Sequence, residues 1–277
     1  MIEILKAILF GIVEGITEWL PVSSTGHLIL LDEFIQLRAT DAFKSMFDVV
    51  IQLGAILAVI VLFFHKLNPF APSKSKEEKG KTWNLWFKVI AAILPSGILG
   101  VLLDDWMDEH LYNYIVVAIA LIVYGVAFLF VENLRKKDKE IKSVHAIDLK
   151  TAILIGAFQC LSLIPGTSRS GSTILGGILL GVSRSAASEF SFFLAIPTML
   201  GASALKLLKF ILEGATATGL EIGVLITGCL VSFLVSLLVI QGLMAYVKRH
   251  DFKVFGIYRI VLGILVNLYF LIAGSAR

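Results

Sequence analysis

"GIVEGITEWLPVSSTGHLILL", residues 11–31, starts as an apolar helix and then departs from one. Glu14 and Glu18 lie inside the apolar run, and Pro21, Ser23, Ser24, Thr25, Gly26 and His27 interrupt it before residues 28–31 resume it. In lipid, irregular backbone survives only where it is buried in protein or lines a polar cavity. Ionisable residues inside an apolar span mark functional sites by default. The stretch therefore predicts a broken helix whose interruption builds something.

The rest of the chain makes lipid its surroundings. Of 277 residues, 57% are hydrophobic and 16% charged, and the mean hydropathy is +0.89. Soluble domains run about 45–50% apolar and about 25% charged. The surplus is surface that must face hydrocarbon, so the chain reads as a polytopic membrane protein. Long helical rather than short alternating runs make it all-α and exclude a β-barrel. The N-terminal run has Lys6 as its early cation, carries Glu14 and lacks a small-residue cleavage pattern, so it reads as a retained helix. Cys160 and Cys229 both lie in apolar sequence and read as small buried hydrophobes, not as a disulfide or a metal site.

Six stretches approach the ~20 residues needed to cross a bilayer: 46–64, 86–103, 112–131, 188–210, 222–245 and 254–273. Two others, 3–37 and 150–183, are each a pair of short apolar segments around a Pro-, Ser- and Gly-rich break, and read as re-entrant helix-loop-helix hairpins. The connectors 65–81, 135–150 and 248–253 are rich in Lys and Arg, whereas 104–110 and 213–221 contain neither. The positive-inside rule puts the first three in the cytoplasm and both termini outside. Lys206 and Lys209 fall near an expected outer end, where their stems can snorkel toward headgroups. The basic loops are solvated connectors with no resemblance to a nucleic-acid site.

A second break, "GAFQCLSLIPGTSRSGSTILGGILLG" at 156–181, aligns with the first: Gly156 with Gly11, Gln159 with Glu14, Pro165 with Pro21, Thr167-Ser168 with Ser23-Ser24. Three full spans follow each break. An odd number makes the second half enter from the opposite side, the pattern of an inverted-topology repeat whose broken helices meet near the midplane. The expected organisation is a single integral membrane domain over 1–277, with halves at about 1–133 and 150–277 joined by a basic cytoplasmic loop.

The residues in the breaks suggest chemistry. Glu14 and Glu18, four apart, stack on one helix face. Two such carboxylates in low dielectric need a divalent metal, an Arg or a shared proton between them, unless they snorkel to an interface. His27 opens the second half-helix and suits general acid–base work beside a hydroxyl, although a lone histidine there is also a common structural residue. The second break, "PGTSRSGST" at 165–173, offers Gly166 and Gly171 for tight turns. Thr167, Ser168, Ser170, Ser172 and Thr173 add hydroxyls, Arg169 adds a fork of N–H donors, and a helix start follows. This is a phosphate cradle. An Arg at membrane depth needs an anionic partner: Glu18, a ligand phosphate, or both in turn. The segment misses the P-loop pattern at its lysine position, Ser172, and no strand precedes it, so ATP hydrolysis is rejected.

"EGITEWLPVSSTGH" and "PGTSRSGST" resemble the glutamate-rich and PGxSRSxxT motifs of the undecaprenyl-pyrophosphate phosphatases, bacterial membrane enzymes linked to bacitracin resistance. The flanks "FDVVIQLGAILAV" and "GVSRSAASEFSFFLAIP" agree, and the resemblance covers essentially the whole chain. It implies hydrolysis of undecaprenyl pyrophosphate to undecaprenyl phosphate and inorganic phosphate, recycling the lipid carrier of peptidoglycan synthesis. It implies a divalent cation, Mg²⁺ or Ca²⁺, associated with Glu14 and Glu18. It also implies catalytic roles for Glu18, Ser24, His27 and Arg169, around which Ser23, Thr25, Gly166, Thr167, Ser168, Ser170 and Thr173 would bind phosphate. The expected mechanism has Ser24 or a water attacking the terminal phosphorus, His27 handling the proton, and Arg169 and the metal stabilising charge on the transferring oxygens. The need to recycle carrier released outside favours a site open to the outer face.

Two rivals come from other classes. A transporter would use the same inverted repeat and cradle. A lipid phosphatase of the acid-phosphatase type shares the likeness of "SSTGH" to PSGH, but the His that should follow "SRS" is next found at His250, in a basic loop. The polyprenyl diphosphate substrate and membrane lipids are the expected partners. The sequence is silent on oligomeric state, and a homodimer stays open.

Overall fold

A computed structural model describes residues 1–111, 113–134 and 140–274. Among them are twelve helices: α1 (Ile2–Thr17), α2 (Ser24–Phe34), α3 (Asp41–Val50), α4 (Gln52–Leu62), α5 (Phe64–Leu67), α6 (Lys76–His110), α7 (Tyr114–Leu134), α8 (Leu149–Cys160), α9 (Arg169–Leu179), α10 (Arg184–Leu212), α11 (Gly219–Val247) and α12 (Lys253–Gly274). No strand occurs among the described residues; Ile141 and Val182 form an isolated backbone bridge.

Six helices are long and apolar enough to cross a membrane: Asp41–Leu62 (α3 with α4), Lys76–Leu103, Tyr114–Leu134, Arg184–Leu212, Gly219–Val247 and Lys253–Ile272. They coincide with the six expected spans. The main difference is α6, which begins inside the basic connector 65–81 and continues through 104–110, both expected as loop. Its start is set by a capping box. Ser75 Oγ accepts from the Glu78 N–H at 3.2 Å, and a Glu78 oxygen accepts from the Ser75 N–H at 2.7 Å. The apolar run alone does not show this extension, because the added turns are polar. Of the basic connector 135–150, residues 135–139 lie outside the described residues. Its end caps α8, with the Thr151 N–H donating to Asp148 at 2.7 Å. That bond from the backbone holds the Asp148 carboxyl below the usual carboxylate range.

The burial pattern suits lipid. Leu238 is 74% exposed, whereas Ser236, two residues away on α11, is fully buried. In water this would be an error; in hydrocarbon, small polar residues let helices approach and leucines face the tails. α1 packs along α11, α8 along α6, and α7 along α12, while α10 touches α3, α4, α6 and α9. Backbones nearly meet where glycine permits. A Cβ on Gly54 would collide with the Cys229 carbonyl, and one on Gly156 with that of Ala92. The N-terminal half of α10 is the central post: Phe190, Phe192 and Phe193 are fully buried, and so are Ser188 and Ser191.

The connectors sort to two ends. At one, Lys66 pairs with Glu189, Lys88 reaches the His145 carbonyl at 3.4 Å, Arg184 pairs with Glu132, and the Phe252 N–H donates to Glu132 at 3.0 Å. The Ser183 N–H also donates to the Ile141 carbonyl, so the basic connectors 65–81, 135–150 and 248–253 gather around the start of α10 and share neighbours there. Elsewhere, the Arg38 N–H donates to Glu3 at 2.9 Å, and Glu3 and Arg38 share a surface pocket with Thr218 and Glu221. Tyr114 stacks on Phe270 at 4.5 Å, so α12 ends beside the start of α7.

Candidate active site

Each break is a sharp turn closed by a serine. Ser23 and Ser168 both have φ 74°, and each caps the helix that follows. Ser23 Oγ accepts from the Gly26 N–H at 3.2 Å and Ser168 Oγ from the Gly171 N–H at 3.1 Å. A positive φ at a non-glycine residue is strained, costing on the order of 1–3 kcal/mol, and such strain collects at functional sites. Here it turns the chain through a half-helix start and aims residues 24 and 169 inward.

What they aim at is one another's loop. Arg169 Nη2 donates to Glu18 Oε1 at 2.8 Å, and Ser24 Oγ donates to Glu18 Oε2 at 2.6 Å. The side chains of Arg169 and Glu18 are 9% and 5% exposed, so this ion pair is buried. A buried pair stands only with further hydrogen bonds, and they are present. Arg169 Nη1 donates to the Ser191 carbonyl at 2.7 Å and contacts Ser191 Oγ at 3.3 Å. The guanidinium also lies 5.7 Å from the centre of the Trp19 ring. Ser170 Oγ donates to the Glu18 carbonyl at 3.0 Å, tying the loops a second time.

Glu18, Ser24, Thr25, Gly166, Ser168 and Arg169 line a polar cavity of about 170 Å³, together with Gln52, Ser162 and Thr198. The other expected phosphate ligands are placed behind this surface. Ser23 is the cap. Thr167 is fully buried. Ser170 ties the loops, and Thr173 Oγ1 bonds the Arg169 carbonyl at 2.8 Å and Ser191 Oγ at 2.7 Å. Residues 170 and 173, on α9, face the interior and brace the loop that carries Arg169.

His27 is placed differently from the expected relay to Ser24. Its Nδ1 lies 2.7 Å from the Ser23 carbonyl and its Nε2 2.7 Å from the Tyr258 hydroxyl. A carbonyl only accepts, so Nδ1 carries a proton, and in the neutral imidazole Nε2 is then the acceptor for the Tyr258 hydroxyl. The group on the Ser24 hydroxyl is Glu18.

Glu14 is fully buried, and neither carboxylate oxygen has a hydrogen-bond partner among the described residues. An orphaned carboxylate one turn from Glu18 fits uptake of a hard cation. No group of three His, Cys, Asp or Glu side chains is gathered among the described residues, so such a cation would complete its shell with waters and ligand oxygens.

The family description "Bacitracin resistance protein BacA" matches residues 7–265 of this sequence. The chain belongs to the BacA family. It is 59% identical to an undecaprenyl-diphosphatase of Limosilactobacillus fermentum over 271 residues, 98% of each chain. It is 60% identical to one of Enterococcus faecalis over 270 residues, 96% of this chain and 97% of that one. A third, from Lactiplantibacillus plantarum, is 58% identical over 98% of both.

Three residues of this BacA-family site carried little or no motif signal. Ser191 is an ordinary serine in an apolar helix. Tyr258 is one of several aromatics in α12. Arg259 did carry a sign, a cation inside an apolar span. It is fully buried, and its guanidinium donates to the carbonyls of Pro21 at 3.1 Å, Gly166 at 2.8 Å and Ala120 at 3.4 Å. It fastens both breaks of the BacA-family chain to α7.

The strained caps give a direct prediction. Ser168→Gly relieves the positive φ but loses the cap oxygen, whereas Ser168→Ala loses the cap and keeps the strain. Ser→Ala at a cap costs about 1 kcal/mol and Ser→Gly a few tenths. In detergent, Ser168→Ala should unfold at a lower temperature than Ser168→Gly. A reversed order would show that φ at 168 does not matter to stability.

Proposed function

We propose that the chain hydrolyses undecaprenyl diphosphate to undecaprenyl phosphate and inorganic phosphate in the cavity between the two breaks, recycling the lipid carrier. The family and its undecaprenyl-diphosphatase relatives support the reaction. The observation that carries it is the chain Arg169–Glu18–Ser24, drawn from both breaks and facing one polar cavity.

Phosphoryl transfer asks a protein mainly for positioning and charge neutralisation. Ser24 Oγ is the nucleophile and Glu18 its base, held at hydrogen-bond distance. As Ser24 Oγ bonds the terminal phosphorus, its proton passes to Glu18 and the bridging P–O bond breaks, releasing undecaprenyl phosphate. Glu18 then returns its proton to Ser24 Oγ as water adds to the phosphorus of the seryl phosphate and the Oγ–P bond breaks; the water's proton passes through Glu18 to solvent, and inorganic phosphate leaves. Arg169 swings part of its fork from Glu18 to the phosphoryl oxygens as Glu18 becomes neutral. His27 and Tyr258 hold the Ser23–Ser24 turn. A divalent cation, when bound, would sit at Glu14 with Glu18 near and supply further neutralisation of phosphate charge.

The two breaks are read as re-entrant hairpins of an inverted repeat. In support, matching α1 with α8 and α6 with α11 turns the α1–α11 contact into the α8–α6 contact. The basic connectors that share neighbours are assigned to the cytoplasm, and the ends carrying Glu3, residues 213–221 and the close of α12 to the outside.

The test is phosphate release from undecaprenyl diphosphate by purified protein in detergent, with and without EDTA. Release should occur without any compartment and fall with EDTA, and an acid quench should trap phosphate on Ser24. No release in detergent would favour transport instead, and turnover by Ser24→Ala would remove the serine as nucleophile.

A further inference from the structure

A second cavity, of about 350 Å³, adjoins the polar one and shares Ser162, Leu163, Thr198 and Ala202 with it. Its size falls within the ~300–1,000 Å³ of small-molecule pockets. It lies between α6, the turn after α8, and α10. Its polarity is graded. At the shared end, Gln159 Nε2 donates to Ser96 Oγ at 2.7 Å and to Thr198 Oγ1 at 3.2 Å. Gln159 is 1% exposed, and its Oε1 has no hydrogen-bond partner among the described residues. Farther along α6 and α10 the lining becomes Gly100, Val101, Met107 and Leu205. The flank is open: Gly97, Val101, Gly201 and Ala202 are exposed, on helices whose outer faces suit lipid. A Cβ at Gly97 or Gly201 would meet nothing within 4 Å.

We propose that this groove receives the isoprene units nearest the diphosphate of the substrate, and that Gly97 and Gly201 keep it wide enough to admit them. The inference rests on the reading of the polar cavity as the headgroup site, because its occupant must leave that cavity by a shared wall. A polyprenyl diphosphate has the same gradient, from charged oxygens through the C1–O bond to hydrocarbon. Gln159 faces the join between the two, where a buried amide oxygen is left free. The two glycines matter for space alone, since neither is packed against another helix as Gly54 and Gly156 are.

The experiment uses the full chain in detergent with farnesyl diphosphate carrying a diazirine on its first isoprene unit. Photolysis should label peptides from 93–107 and 197–205, and undecaprenyl diphosphate should compete. Gly201→Leu and Gly97→Leu should cut labelling and raise KM for undecaprenyl diphosphate roughly tenfold or more, the scale of a misfitted methylene in an apolar pocket, with kcat within about twofold. Gly242→Leu, at an open and exposed position of α11, is the folding control and should leave both unchanged. Labelling on other helices, or an unchanged KM in both groove variants, would overturn the groove. So would an equal loss of kcat without a change in KM, because that is damage to the headgroup cavity. Failure of wild type to release phosphate would instead strike the reading of the cavity, while labelling reports on the groove by binding alone.

Discussion

Glu18→Gln should lower phosphate release from undecaprenyl diphosphate by roughly 10²–10⁴-fold, the contribution of a positioned base. The substitution keeps the shape of the side chain and removes two things together. Ser24 Oγ loses the acceptor that draws its proton, at 2.6 Å, and Arg169 loses its countercharge, at 2.8 Å. The first loss should appear in kcat. The second should appear in stability, since stripping one partner from a buried ion pair costs about 3–5 kcal/mol, read as a fall in Tm. Bound phosphate should restore part of that Tm, because the freed guanidinium still needs an anion. Near-normal kcat in Glu18→Gln would remove Glu18 as the base, whatever the change in Tm.

Arg169→Lys should be nearly as damaging, by about 10²–10³-fold in kcat, the range for losing one donor preorganised for transition-state charge. Arg169 divides its fork, Nη2 to Glu18 and Nη1 to the Ser191 carbonyl. A lysine ammonium keeps the charge but is a single point, and it cannot hold two acceptors in the planar arrangement of the guanidinium. The expected pattern is a large fall in kcat with a smaller rise in KM, because charge attraction to the diphosphate survives while orientation is lost. A substituted enzyme within about threefold of wild type would show that charge alone suffices at 169.

The spans were readable because each is a run near 20 apolar residues, a length the bilayer dictates, and α7 and α12 follow their runs closely. The breaks were readable for the opposite reason. Pro, Gly and clustered hydroxyls are out of place in a lipid-facing helix, so Glu18, Ser24 and Arg169 announced themselves, and the structure brings them together. The extension of α6 was hidden, since Ser75 and Glu78 start it by a local cap in polar sequence. The placement of His27 was hidden as well. Its partner Tyr258 lies 231 residues away, and nothing near His27 points to it. Ser191 gives Arg169 its shorter contact through the backbone carbonyl, a group every residue has, and its hydroxyl meets Thr173 and Arg169 only across helices, so nothing in the local sequence marks it. Arg259 was legible by type, as a cation within an apolar run. Its role was not, because its partners are carbonyls of three separate segments.

That placement of Arg259 sets a schedule for synthesis. The carbonyls it gathers, at 21, 120 and 166, belong to segments that leave the ribosome well before residue 259 does. The first half can insert, the second can follow, and the two turns can meet through Arg169, Ser170 and Glu18, yet the clasp that fastens both to α7 waits for α12. The fastening of the phosphate cradle is therefore a late product of biogenesis, completed only when α12 packs along α7.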